Sequence, residues 1–292
     1  MVIRMSKGGV GKTTICANLG SALAMMGHKV LLVDGDPQGT LSRVMGIDTD
    51  RDLVHVNELM RRCHKRLPAQ LETAVEPVYP DGFLDIIPAN ITAADDMWMV
   101  AATSREMLFT RLLRENKAFF SQYDAVLVDT APATCLMTSA LMLAAPEVLA
   151  VVQLDAIPAM TMDVLVSNIA EINAAIPDKA MGLHIIANGW HGSYASCREA
   201  LEYLATHFGD YLCDTVIPYS AVFKRQISLL EERDAGTALE IEPSSHAAKI
   251  IAKLTQAIAD RYQIGIGGRV IPPGAAQGEA NAETSEVSGT GQ

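Results

Sequence analysis

Eight residues near the start of the chain, Lys7-Gly8-Gly9-Val10-Gly11-Lys12-Thr13-Thr14, limit what it can fold into more than any other stretch. They follow a short apolar run, Val2 to Met5, and lead into a helical pattern from Thr14 to Met26 that Gly27 ends. A strand, a glycine-rich turn and a helix in that order wrap backbone N–H groups around an anion, because glycine reaches conformations closed to other residues. The positive end of the helix strengthens the same field. Lys12 is placed to reach the outer phosphates of a nucleotide, and the Thr13 hydroxyl to bind Mg²⁺. The pattern G-x-x-x-x-G-K-[ST] is not strictly met, since Ser6 stands at its first glycine; an additional lysine, Lys7, follows it.

Downstream, short Val/Ile/Leu runs alternate with helical stretches. Val30 to Val33, Phe83 to Ile87, Ala125 to Val128, Val148 to Leu154, Leu183 to Ala187 and Thr215 to Ile217 read as strands. Thr103 to Phe119 and Ser245 to Tyr262 read as helices. Continuous apolar strands between helices predict an α/β fold, a single doubly wound and mostly parallel sheet with helices on both faces. The expected domain covers residues 1–264. Residues 265–292, rich in Gly, Ala, Pro, Glu, Ser and Thr, read as a flexible tail.

Composition narrows the class. An apolar fraction of 49% argues against a mainly disordered chain. Five cysteines with no C-x-x-C pair exclude a zinc ribbon and fit a reducing compartment. No signal peptide and no long apolar span stand out, so the expectation is a soluble, cytoplasmic chain. A formal net charge of -11 disfavours nonspecific attachment to polyanions, so any nucleic-acid contact needs a local basic patch. The cluster Arg61-Arg62-Cys63-His64-Lys65-Arg66 is either a solvated helix face or a site for an anionic partner.

Lys7 to Thr14, followed by Val30-Leu31-Leu32-Val33-Asp34-Gly35-Asp36-Pro37-Gln38-Gly39 and Tyr123-Asp124-Ala125-Val126-Leu127-Val128-Asp129-Thr130-Ala131-Pro132, resembles the deviant Walker A ATPases. These are the ParA/MinD group within the SIMIBI class of P-loop proteins, and the likeness covers about residues 1–262. The resemblance implies ATP and Mg²⁺ as cofactors and slow, partner-stimulated hydrolysis. It implies that Gly8, Gly9, Val10, Gly11, Lys12, Thr13 and Thr14 hold phosphates. Lys7 would reach the nucleotide of a second subunit in an ATP homodimer, and Asp36 would orient the attacking water. Thr13, Asp34 and Asp129 would serve Mg²⁺, and Thr130, Ala131 and Pro132 would sense the γ-phosphate. Asn188 would read adenine, with Pro218 lining the base.

Within that group, Asp36-Pro37-Gln38-Gly39 is more typical of ParA-like members, which bind nonspecific DNA, than of MinD-like members, which bind membrane. The last residues lack the Trp, Phe or Leu of a lipid anchor, so no membrane anchor is expected. Arg198, Lys224, Arg225, Lys249 and Lys253, with Arg261, are the candidates for DNA phosphates, against a reading as ordinary surface bases. The implied function is a nucleoid-associated partition ATPase that positions a plasmid, chromosome or other cargo with a ParB-like or cargo adaptor. A MinD-like positioning ATPase is the alternative. An iron-sulfur reductase is a weaker one, since Cys135 has no convincing second cysteine beside it; it reads better as a packing residue.

Overall fold

The computed structural model describes residues 1–5, 7–154, 159–176, 179–226 and 236–265. The strands are β1 (Val2–Arg4), β2 (Val30–Gly35), β3 (Glu76–Pro77), β4 (Leu84–Ile87), β5 (Ala125–Thr130), β6 (Glu147–Gln153) and β7 (Gly182–Asn188). They form one sheet in the order β3-β4-β2-β5-β1-β6-β7, parallel except for β3, which runs against β4. Val30, Leu31, Leu32 and Val33 are wholly buried, as a strand covered on both faces requires. The expected single α/β domain with helices on a mostly parallel sheet is what the chain forms.

Around the sheet run α1 (Lys12–Met25), α2 (Thr40–Val44), α3 (Val56–His64), α4 (Leu71–Ala74) and α5 (Trp98–Ala101). Then come α6 (Leu108–Glu115), α7 (Lys117–Phe120), α8 (Leu136–Ala144), α9 (Ala159–Ala175), α10 (Ala195–Phe208), α11 (Ala221–Gln226), α12 (Ala238–Ile241) and α13 (His246–Tyr262). Buried almost all round, α1 lies against α13, whose Ile251, Leu254 and Ile258 form its inner stripe. Asn18 of α1 is fully buried and well used: it donates to the Thr14 carbonyl and to Gln226, and accepts from Ala238 N–H at 2.9 Å. One side chain thereby anchors α11 and α12 to the helix behind the glycine-rich loop.

Two expectations change. Thr215 to Ile217 is not a strand: Ile217 N–H bonds the Ala187 carbonyl, yet only isolated bridges form, and Pro218 brings no N–H to extend a ladder. The helix expected from Thr103 to Phe119 divides into a 3₁₀ turn (Arg105–Met107), α6 and α7. Asn116 marks the break, its side-chain amide bonding the Leu112 carbonyl and competing with the helical pattern. The tail after residue 264 lies, apart from Gly265, outside the described residues. Of the basic cluster, Arg61 to His64 lie in the last turn of α3 and Lys65 and Arg66 follow its end, with Arg61 paired to Glu58 and Arg62 bonded to the Pro68 carbonyl. Among the described residues no helix is long and apolar enough to cross a membrane.

Candidate functional site

Between β5 and β6, β1 sits where the chain turns from one half of the sheet to the other, so the carboxyl ends of the strands open a crevice there. A cavity of about 670 Å³ fills it. Gly8, Gly9, Gly11, Lys12, Thr13 and Thr14 form one wall, Asp36, Thr130 and Pro132 another, and Asn188 and Pro218 a third. Three motifs far apart in sequence thus converge on one space.

The loop's shape follows from its glycines. Gly9 and Gly11 have φ of 74° and 96°, left-handed values that favour glycine. Gly11 is also the N-cap of α1, and no side chain caps that helix, so its positive end faces the cavity. A Cβ on Gly11 would sit 2.4 Å from the Asn188 amide nitrogen, so any other residue here would push that amide off the Val10 carbonyl. Lys12 is nearly buried, and its ammonium donates to the Lys7 carbonyl at 3.2 Å. Burial pushes the Lys12 pKa down, while Asp129 pulls it up. Val10 faces inward, 1% exposed, and contributes backbone rather than cavity wall.

The carboxylates take their places from strand register. Parallel pairing of β2 with β5 sets Asp34 opposite Asp129. Both are wholly buried. Asp129 accepts from the Thr13 hydroxyl at 2.6 Å and from Thr130 N–H at 3.0 Å. Burial, then the Asp34 charge, pushes its pKa up to about 7. Asp34 rises to about 6, burial again outweighing its hydrogen bonds. Two buried like charges beside a threonine hydroxyl fit a divalent cation, which would offset their repulsion. Neither carboxylate lines the cavity itself: Asp129 sits behind Thr13, and the Asp34 oxygens accept from Asp36 N–H, Ser42 N–H and the Ser42 hydroxyl, so the direct part of Asp34 is to hold the Asp36 loop. Asp36 does line it, half-exposed, with one oxygen accepting from Gln38 N–H.

Other sequence-derived residues are placed less simply. Asn188 borders the cavity, but its amide donates to the Val10 carbonyl at 2.8 Å, bracing the loop. Ala131 and Pro132 offer their carbonyls to the Arg4 guanidinium. Lys224 lines the nucleotide-sized cavity, its ammonium 4.9 Å from the centre of the Tyr219 ring. Arg225 pairs with Glu242, and Arg198 donates to the Gly192 carbonyl. Lys249 and Lys253 are exposed on α13. Cys135, half-buried, packs against the core as expected, its Sγ 3.3 Å from the Thr138 hydroxyl. Sequence reading missed Thr40, Gln153, Tyr219 and Phe223 on the cavity wall. For Gln153 a signal existed, since it ends a parallel strand at the ligand edge.

Known proteins resemble this chain in sequence and in fold. A family model described as an AAA domain matches residues 1–181. The chromosome-partitioning ATPase Soj of Thermus thermophilus is 30% identical over 260 residues, covering 88% of this chain and 94% of the relative. The ATP complex of a McdA variant from Cyanothece superposes with a TM-score of 0.74 at 17% identity, covering 92% of this chain and 97% of that one. Cobyrinic acid a,c-diamide synthase of Mycobacterium smegmatis, with an ATP analogue and magnesium, gives 0.72 at 22% identity over 93% and 97% of the two chains. Those two likenesses carry the fold. A family match over more than half the chain, a relative at 30% identity and a phosphate loop with both of its lysines lead to one conclusion: the chain belongs to the ParA/MinD-type P-loop ATPases.

Proposed function

We propose that this chain is a partition or positioning ATPase that hydrolyses ATP with Mg²⁺ and uses the nucleotide state to control self-association. The observation that carries the reading is the meeting of Lys12, Thr13, Asp36 and the Thr130–Pro132 turn around one cavity, with Lys7 opening the same loop. Residues 1–264 form the ATPase unit. Thr13 and Asp129 would hold Mg²⁺, which would supply charge neutralisation to a bound triphosphate. The loop N–H groups and Lys12 bind and orient the phosphates at the carboxyl edge of the sheet. Asp36, anchored by Gln38, orients a water toward the terminal phosphate. Lys7 serves the partner subunit's nucleotide, where a donated cation offsets the repulsion between two triphosphates.

The ATP homodimer associates with nonspecific DNA and so with the nucleoid. A ParB-like or cargo adaptor stimulates slow hydrolysis and releases it. Support comes from the Soj relative, named for chromosome partitioning, and from the exposed lysines of α13. Lys224 is reassigned to the nucleotide cavity, leaving Arg198, Arg225, Lys249 and Lys253 for DNA. The test is sedimentation with ATP against plain duplex DNA and, separately, anionic liposomes. Retention on DNA alone is expected; retention on liposomes alone replaces this reading with a membrane-associated one.

A further inference from the structure

Arg4 is the one charged residue in β1, between the buried apolar side chains of Ile3 and Met5, and it is only 3% exposed. Charged groups are seldom buried this deeply without dedicated partners. Its guanidinium reaches the loop after β5: one nitrogen donates to the carbonyls of Ala131 at 3.2 Å and Pro132 at 3.0 Å, as well as to Met5, and the other to the Thr134 hydroxyl at 2.9 Å. A second tie runs alongside, from the Thr130 hydroxyl to the Ile3 carbonyl at 2.8 Å. The strand that launches the phosphate loop therefore grips the loop that carries Thr130 and Pro132 into the cavity. Pro132 lies 4.0 Å from where a Cβ on Gly8 would stand, so a shift of this turn would be felt directly at the phosphate wall.

We propose that Arg4 is a positioning residue for ATP hydrolysis: its fork fixes the 131–134 turn so that Thr130 and Pro132 face the terminal phosphate. The proposal rests on the ATPase reading. A guanidinium suits this task because its planar, divergent N–H groups bind several fixed acceptors at once, whereas an ammonium is a single point on a flexible stem. Arg4 contributes no atom to the nucleotide cavity, so its effect passes through the turn. Its side chain instead borders a separate cavity of about 440 Å³ between α8 and α9, with Thr138, Met142, Leu165 and Ile172 on the walls. Truncation at Arg4 leaves a space joined to that cavity, through which a small guanidinium can enter.

The test compares wild type, Arg4→Ala and Arg4→Lys in steady-state ATP turnover, and in amide hydrogen exchange of the 130–135 segment with a non-hydrolysable ATP analogue. In Arg4→Ala, kcat should fall on the order of 10²-fold through misplacement of the turn. KM should stay within about threefold, since loop contacts to the phosphates remain. Exchange protection should be lost in the 130–135 segment and kept in β2 and β7. Millimolar methylguanidinium should restore part of the turnover, and methylammonium should not. Arg4→Lys should lie between the two; where Arg4→Ala does not fold, a lowered kcat with retained KM in Arg4→Lys supports the clamp. Wild-type kcat in either variant, or loss of turnover and protection that methylguanidinium leaves unchanged, overturns it. A wild type without ATP turnover would contradict the proposed function, while the exchange comparison would still decide the clamp.

Discussion

Asp34 and Asp129 repel because register leaves them no choice: Val30–Gly35 and Ala125–Thr130 pair in parallel, and their terminal carboxylates finish side by side. The pair therefore carries a cost that a cation bound beside Asp129 would relieve. Replacing Asp129 by Asn should raise the melting temperature of the nucleotide-free protein at pH 8 by about 2–4 °C, for a relief of about 1 kcal/mol. The same change should abolish the stabilisation by Mg²⁺ and ATP, and calorimetry with and without ligand separates the two effects. Lys7→Ala should retain nucleotide binding while losing ATP-dependent dimers in light scattering. Asp36→Ala should trap the ATP dimer by cutting turnover. These residues were legible as candidates because each sits in a contiguous motif whose spacing carries its chemistry. The bond from Asn188 to Val10, the retreat of Asp34 behind Ser42 and the place of Lys224 over Tyr219 were not, because each depends on contacts that no local motif spells out.

Elements were readable where hydrophobic period and length agreed, as in α1, α13 and the buried parallel strands. They were misread where a single polar group decides, as with the Asn116 break, or where proline interrupts pairing, as beside Pro218. The start of α3 shows such a decision and carries a pH consequence. His55 caps the helix through Nδ1, which accepts from Glu58 N–H at 3.2 Å, while Nε2 lies 3.1 Å from the Thr92 hydroxyl. Burial first of all pushes its pKa down, against the pull of Glu58. Because the folded value lies below the unfolded one, this contribution to stability is intact above about pH 6.5 and drains away as pH falls through the folded value. A protonated Nδ1 can no longer accept the capping bond. His55→Asn keeps an acceptor without the titration. Its melting temperature should fall less than that of wild type between pH 7 and pH 5; an equal fall would remove His55 as the cause.

For the whole molecule, a net charge of -11 sets DNA against most of the surface, so the DNA retention proposed above would have to come from a few local bases multiplied by the proposed dimerisation. Lys249→Glu with Lys253→Glu should lower DNA retention and flatten its salt dependence by about one unit of slope per lost phosphate contact, with ATP affinity unchanged. The fold class was plain from the alternation of strands and helices, whereas the strand order and the antiparallel edge were not, since pairing across the sheet leaves no local trace in sequence. That edge has its own consequence. β3 is two residues long and holds Pro77, which offers no N–H to a newcomer, while the 212–218 segment lies along the far side of β7. Neither margin invites a foreign strand. The self-association proposed above would therefore run through helices and loops, by contacts that turnover could undo, and a chain proposed to gather and disperse is kept from growing into a fibre.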